Sequence, residues 1–166
     1  MSTVKISLII TTYNWPIALA SVLDSVKRQS VLPNEVVVAD DGSIESTRIL
    51  LEQIAYDFPC PLHHVWQEDL GFRVARCRNL AIAASIGDLV ILLDGDMILD
   101  THFIEDHLTA SRKGYFSQGS RVLLNNETSS KLLTGEISKP SYLSRGISRR
   151  RNLFRLPLLS FIWRNL

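Results

Sequence analysis

Asp88-Leu89-Val90-Ile91-Leu92-Leu93 runs straight into Asp94-Gly95-Asp96, and this stretch decides the architecture. A short apolar run rich in branched side chains and closed by turn residues reads as a strand buried on both faces. Working outward, residues 4–10 (VKISLII) and 35–39 (EVVVA) repeat the pattern, the second ending in Asp40-Asp41-Gly42-Ser43. Residues 62–66 read as another strand. Helical periods lie between them. Leu19, Val22, Leu23 and Val26 recur at i, i+3, i+4 and i+7, behind Asn14 as the expected N-cap and Pro16 in the first turn. A second helix runs through Leu50, Leu51 and Ile54 and stops before Pro59 and Pro61. A third spans about residues 73–85, with Cys77, Leu80, Ala81 and Ala84 as its apolar stripe and Gly87 closing it. Strands alternating with helices predict an α/β fold, a Rossmann-like, mostly parallel sheet with helices on both faces.

That pattern fills residues 1–124 as one domain. Past Leu99, Asp100 is expected to cap a short helix carrying Phe103, Ile104 and Leu108, and residues 115–124 to hold one strand or two. Residues 125–166 read as a basic loop and an apolar tail with little order. Charge follows the same division. Residues 1–136 carry eleven Lys and Arg against seventeen Asp and Glu, whereas residues 137–166 carry seven Lys and Arg and no acid. An acidic body excludes the profile of a nucleic-acid binder, which needs basic surface on its folded part. Cys60 and Cys77 have no metal-ligand spacing and read as reduced thiols rather than a disulfide. With no signal-peptide pattern and no apolar stretch of about 18 residues, a cytoplasmic body is expected. In residues 149–166, arginines stand beside Leu, Phe, Ile and Trp. This suits peripheral contact with the inner face of a membrane; the preferred alternative is a connector packing on further structure.

In open parallel sheets, ligands bind beyond the carboxyl ends of the strands. Thr11-Thr12-Tyr13, Asp40-Asp41-Gly42-Ser43 and Asp94-Gly95-Asp96 all fall there, so the fold gathers them on one rim. Asp94 and Asp96 can hold a hard divalent cation, Mg²⁺ or Mn²⁺, with phosphate oxygens completing its shell. The triplet alone could be a plain turn or a helix cap, and the apolar strand before it and its place on the rim favour the metal. Asp40 or Asp41 can accept a hydrogen bond from a base or a ribose while Ser43 caps the next helix, and Tyr13 can stack on a base. Arg73 and Arg76 share a helix face, from which one could reach a phosphate or pair with Glu68 and Asp69. The four histidines show no ligand spacing tied to the carboxylates, although His102 follows the aspartate pair and could approach such a metal.

Taken in order, the runs Ser7-Leu8-Ile9-Ile10-Thr11-Thr12-Tyr13-Asn14, Gln29-Ser30, residues 35–43, residues 75–82 (ARCRNLAI) and residues 93–97 (LDGDM) resemble the family 2 glycosyltransferases. Residues 66–73 (WQEDLGFR) are similar to bacterial members that build surface polysaccharide, including chondroitin-polymerase-like enzymes. The resemblance covers about residues 4–124. It implies a GT-A fold, a UDP-sugar donor, inversion at the anomeric carbon, a glycan or lipid-linked glycan acceptor and a Mn²⁺ or Mg²⁺ ion. By position it implies Thr11 and Tyr13 around the uracil, and Asp41 together with Asp40 on the base. It likewise implies Asp94 near the ribose and sugar with Asp96 on the metal, and Arg78 in the family's Arg-Asn pair.

One departure stands out. Inverting transfer needs a base for the acceptor hydroxyl, and beyond Asp106 the acids are Glu127 and Glu136, neither in a base-like motif. The expectation is therefore a truncated chain that binds donor weakly and turns over poorly or not at all, with a non-catalytic nucleotide-sugar-binding or interaction module as the alternative. A phosphatase using the first aspartate of an Asp-x-Asp motif is a lesser rival, because that motif usually opens its chain.

Overall fold

The computed structural model of the protein describes residues 4–137, 140 and 142–155. It divides into two compact units, Met1–Thr109 and Ala110–Leu166. In the first, β1 (Ile6–Thr12), α1 (Pro16–Lys27), β2 (Glu35–Asp40), α2 (Glu45–Ala55), β3 (Leu62–Trp66), α3 (Val74–Ala84) and β4 (Leu89–Asp94) alternate, followed by α4 (Phe103–Ala110). The four strands form one parallel sheet in the order β3-β2-β1-β4. The chain thus moves outward from β1 on one side, then crosses back to place β4 on the other. The reversal opens a crevice between the carboxyl ends of β1 and β4, where such sheets take their ligands.

Every residue of β1 and β2 is buried, as continuous apolar runs require. Alternate side chains serve opposite faces. Leu8, Ile10, Val36, Val38, Ile91 and Leu93 join Leu19, Val22, Leu23 and Val26 of α1, Leu51 of α2 and Ile104 of α4 in one core. On the other face, Ile9, Val37 and Ala39 pack with Cys77 and Ala81 of α3. Each fully buried Val, Leu or Ile contributes about 1.5–3 kcal/mol. The face foreseen for α1 is buried in full. The stripe foreseen for α3 is narrower: Cys77 and Ala81 are buried, but Leu80 and Ala84 are exposed. A helix lying on the sheet through small side chains presents only a slim seam.

Local signals shift by a residue or two. Trp15, not Asn14, is the N-cap of α1, and Pro16 takes the first helical position, where its missing N–H costs nothing. Asn14 instead has a positive φ of 47° and ties two segments together. Its amide donates to Ser43 Oγ (2.9 Å) and its Oδ1 accepts from Ile44 N (2.9 Å). Ser43 is thereby spent, and Ile44 is the N-cap of α2, without a side-chain cap.

Opposite the rim, Glu35 is buried at the start of β2. It accepts from Ser7 Oγ (2.5 Å) and Ile86 N (2.7 Å), and Ser7 Oγ accepts from Gly87 N (2.8 Å). Gln29, after α1, binds the segment that follows β4. Its Nε2 donates to Asp100 O (2.7 Å) and its Oε1 accepts from Ile104 N (3.0 Å). Cys60 and Cys77 are free thiols. They pack against the cores on opposite faces of the sheet, and burial pushes both up to about 11.

The second unit holds short elements within the stretch expected, from residue 125 onward, to be loop or only partly ordered. Asn125 caps α5 (Asn126–Leu133), its Oδ1 accepting from Thr128 N (3.0 Å). β5 (Leu123–Leu124) pairs antiparallel with β6 (Ile147–Ser148), and a 3₁₀ turn covers Arg150–Leu153. Thr128 and Leu132 are the buried residues of α5, too few to leave a visible period in the sequence. Of the strands expected in residues 115–124, the two residues of β5 form. The apolar tail from residue 156 onward lies outside the described residues. Among those that are described, no helix is long and apolar enough to cross a membrane.

Candidate functional site

The register of the sheet levels the strand ends. Thr11 lies opposite Asp94, and Thr12 opposite Asp40. Thr11 Oγ1 donates to Asp94 Oδ1 (3.4 Å) across the crevice. From α3, Arg78 reaches the same carboxylate, with Nη2 2.6 Å from Asp94 Oδ1. The strand parity that sends Thr11 toward the α3 face sends Asp94 there too, so Arg78 meets it without crossing the sheet. Gly95 lets the chain turn tightly at this end, because a Cβ there would stand 2.4 Å from Thr11 O. Asp96 follows, exposed, and makes no hydrogen bond or ion pair among the described residues.

Asp40 and Asp41 separate by the same parity. Asp40 points to the α1–α2 face, where it is 0% exposed. Its Oδ1 accepts from Ser43 N (2.8 Å) and its Oδ2 pairs with His64 Nε2 (2.9 Å). Burial alone would push this carboxyl up, but the His64 ring and the Ser43 hydroxyl and amide hold it below the ordinary carboxylate value. Both its oxygens are thus occupied by protein partners. Asp41 lies on the rim, its amide donating to Thr12 O (3.0 Å). Its carboxylate accepts from Gln67 Nε2 and from Arg73 N (2.9 Å).

Tyr13 is 52% exposed, and its hydroxyl donates to Asp69 Oδ2 (2.9 Å). That bond and the charge of Asp69 raise the phenol above its ordinary value, so the ring is held neutral and anchored at one end. Gly42, at φ +98°, lets the loop approach this point, since a Cβ would sit 2.6 Å from Asp69 Cα.

The segment after β3 therefore secures both rim residues, Gln67 and Arg73 holding Asp41 while Asp69 holds Tyr13. Sequence reading missed this and saw only partners for arginines. The available signal was that residues 67–73 also follow a strand end. The arginines go elsewhere than expected. Arg73 donates to the Glu68 carbonyl and Arg76 to Gln67 Oε1 (2.5 Å), neither to the carboxylates of Glu68 or Asp69. With Trp66, Gln67, Glu68, Leu70 and Leu80 they line a shallow cleft of about 360 Å³. His102 is not near the aspartates. Its Nδ1 binds Glu105 Oε2 (2.7 Å) and Ser30 Oγ (3.1 Å), beyond the carboxyl end of α1.

As a cation site the rim has a definite character. No cluster of three or more His, Cys, Asp or Glu that could hold a metal ion occurs among the described residues. One uncommitted carboxylate, Asp96, beside a second already paired, fits an ion that takes most of its oxygens from a bound diphosphate.

The model of glycosyl transferase family 2 matches residues 7–164. The chain belongs to that family. Validoxylamine A glucosyltransferase of Streptomyces hygroscopicus subsp. limoneus is 35% identical over 107 residues, covering 63% of this chain and 23% of that protein. Chondroitin synthases are also among its relatives. The fold matches Staphylococcus aureus TarS 1–349 in complex with UDP at a TM-score of 0.53 and 26% identity, over 64% of this chain and 31% of that one. It also matches the mannosyltransferase PcManGT of Pyrobaculum calidifontis in complex with GDP-Man and Mn²⁺. There the TM-score is 0.50 and the identity 28%, over 57% of this chain and 28% of the other. This family 2 chain spans about a quarter of the length of the curated relatives it first matches.

Proposed function

We propose that the rim binds the diphosphate and nucleoside of a UDP-sugar, for inverting transfer of the sugar to a glycan or lipid-linked glycan. The observation that carries this reading is the level alignment of Thr11 with Asp94 across the β1–β4 crevice, with Asp96 left uncommitted just beyond. In this reading Tyr13 stacks on the uracil, Asp41 accepts from the base, and Asp40 acts by fixing the loop rather than by touching donor. Thr11 lines the crevice, Arg78 orients Asp94 toward the ribose and sugar, and Asp96 with Asp94 holds Mn²⁺ or Mg²⁺. A divalent ion there supplies positive charge against the leaving diphosphate. UDP in TarS and Mn²⁺ in the mannosyltransferase support the ligand classes.

In such a transfer an acceptor oxygen bonds to the anomeric carbon from the side opposite the diphosphate. The carbon–diphosphate bond breaks, and the hydroxyl proton passes to a carboxylate base. Of the acids beyond Asp106, Glu127 is committed to Lys131 at 2.8 Å, whose hydrogen bond and charge hold its carboxyl below the ordinary value. Glu136 is the other. A second reading is a donor-binding module with weak or no turnover. A UDP-release assay with UDP-sugars and glycan acceptors separates the two: turnover well above donor hydrolysis supports the transferase, and its absence despite donor binding supports the module. A cytoplasmic site of action, with residues 149–166 at the inner face of the membrane, belongs to the same proposal.

A further inference from the structure

Charge is partitioned between the two units far more sharply than the net value of +1 suggests. Residues 1–109 hold seven Lys and Arg against fifteen Asp and Glu, a balance of −8; residues 110–166 hold eleven against two, a balance of +9. Within the second unit Glu127 is already paired with Lys131, leaving Glu136 as the other carboxylate side chain for all the remaining cations. Arg112, Lys113, Arg121, Arg145, Arg149, Arg151 and Arg155 are exposed.

The same unit exposes large apolar side chains. Phe116 is 94% exposed and Leu143 85%, with Tyr115, Tyr142 and Phe154 also at the surface. Cations and rings are interleaved. Arg112 lies 4.7 Å from the Tyr115 ring centre and Arg150 6.0 Å from that of Tyr142, which itself packs on Phe154 at 5.2 Å. Arg150 is fixed there by its bond to Ser144 O (2.9 Å).

We propose that the second unit, through the described residues 110–137 and 142–155, is an anionic-phospholipid-binding module. Arginines neutralise lipid headgroups, and exposed aromatic and aliphatic side chains enter the boundary between headgroup and acyl chain. Neither half of this chemistry suffices alone: a basic patch would bind any polyanion, and an apolar patch would not choose lipid charge. Exposed Leu143 favours lipid over nucleic acid, because an aliphatic tip gains hydrocarbon there and nothing on a phosphate backbone. The acidic first unit is repelled by the same surface, so charge alone selects which unit docks. This inference does not depend on the donor site.

Flotation of the full chain with vesicles of phosphatidylcholine, with and without phosphatidylglycerol, tests it. Binding should require the anionic lipid and weaken as salt rises from 50 to 500 mM. The triple variant Arg145→Gln, Arg149→Gln, Arg151→Gln should lower the partition coefficient roughly a hundredfold, at about fivefold per charge. Phe116→Ser with Leu143→Ser should lower binding while leaving its salt dependence in place. Circular dichroism and UDP titration on each variant report whether the first unit is intact, so loss of vesicle binding is distinguished from failure of the donor reading. No binding, equal binding to neutral vesicles, or displacement of the protein from vesicles by RNA at equal phosphate concentration would each overturn the proposal.

Discussion

Asp40 and Asp41 are neighbours in sequence and opposites in role, because strand parity turns one into the core and the other onto the rim. Asp40 is fully buried and charge-stabilised by His64 and Ser43. A carboxyl whose folded value is depressed lends stability above its unfolded value near 4, and loses that stability as pH falls through the folded one. Asp40→Asn is therefore expected to cost about 2–3 kcal/mol at pH 7. The gap from the parent should narrow as thermal unfolding is followed below pH 4; a constant gap would remove the charge from the explanation. Asp69 acts at the other end of the rim, through the Tyr13 hydroxyl. Asp69→Asn should weaken UDP binding about threefold to tenfold by releasing an anchored ring, a cost of about 1 kcal/mol. Tyr13→Phe should mimic it, and the double variant should add little further. Additive losses would show that the two residues act separately.

At the scale of elements, the strands were legible and their ends were not. Runs of Val, Ile and Leu announce a buried strand wherever they stand, so β2 and β3 were read almost to the residue. β1 was misplaced by two residues because Thr11 and Thr12 look like loop, yet both pair in the sheet. The cap of α1 was misassigned because Asn14 is spent on Ser43 and Ile44, a long-range exchange that no local rule contains. The three clusters of the candidate rim were legible through the rule for parallel sheets. What residues 67–73 do there was hidden, since it depends on contacts between β2, β3 and the loop after β1. The second unit was illegible for a different reason. Its elements are short and bury few side chains, so they leave no period. Buried Glu35 was equally invisible, a charged residue at the head of an apolar strand. It joins the starts of β1 and β2 to the loop before β4. Glu35→Ala should destabilise the chain by about 2–3 kcal/mol through two orphaned donors. Glu35→Gln, which keeps an acceptor, should cost less than half as much in urea unfolding; equal losses would mean that the carboxylate charge itself is needed.

On the scale of the whole molecule, family membership, a four-stranded parallel sheet and a reversal of strand order all point to one crevice. Its chemistry rests on an asymmetry between two aspartates separated by one glycine. Asp94 is held by Arg78 and Thr11, while Asp96 is exposed and makes no hydrogen bond or ion pair among the described residues. Isothermal titration of the full chain with UDP, with and without Mn²⁺, on the parent and on Asp96→Asn, tests this most directly. Saturable binding should require the metal in the parent and fall at least tenfold in Asp96→Asn, a loss of about 1.4 kcal/mol or more, with the thermal midpoint unchanged. Metal-independent binding that Asp96→Asn leaves untouched, or no binding by the parent, would contradict the account.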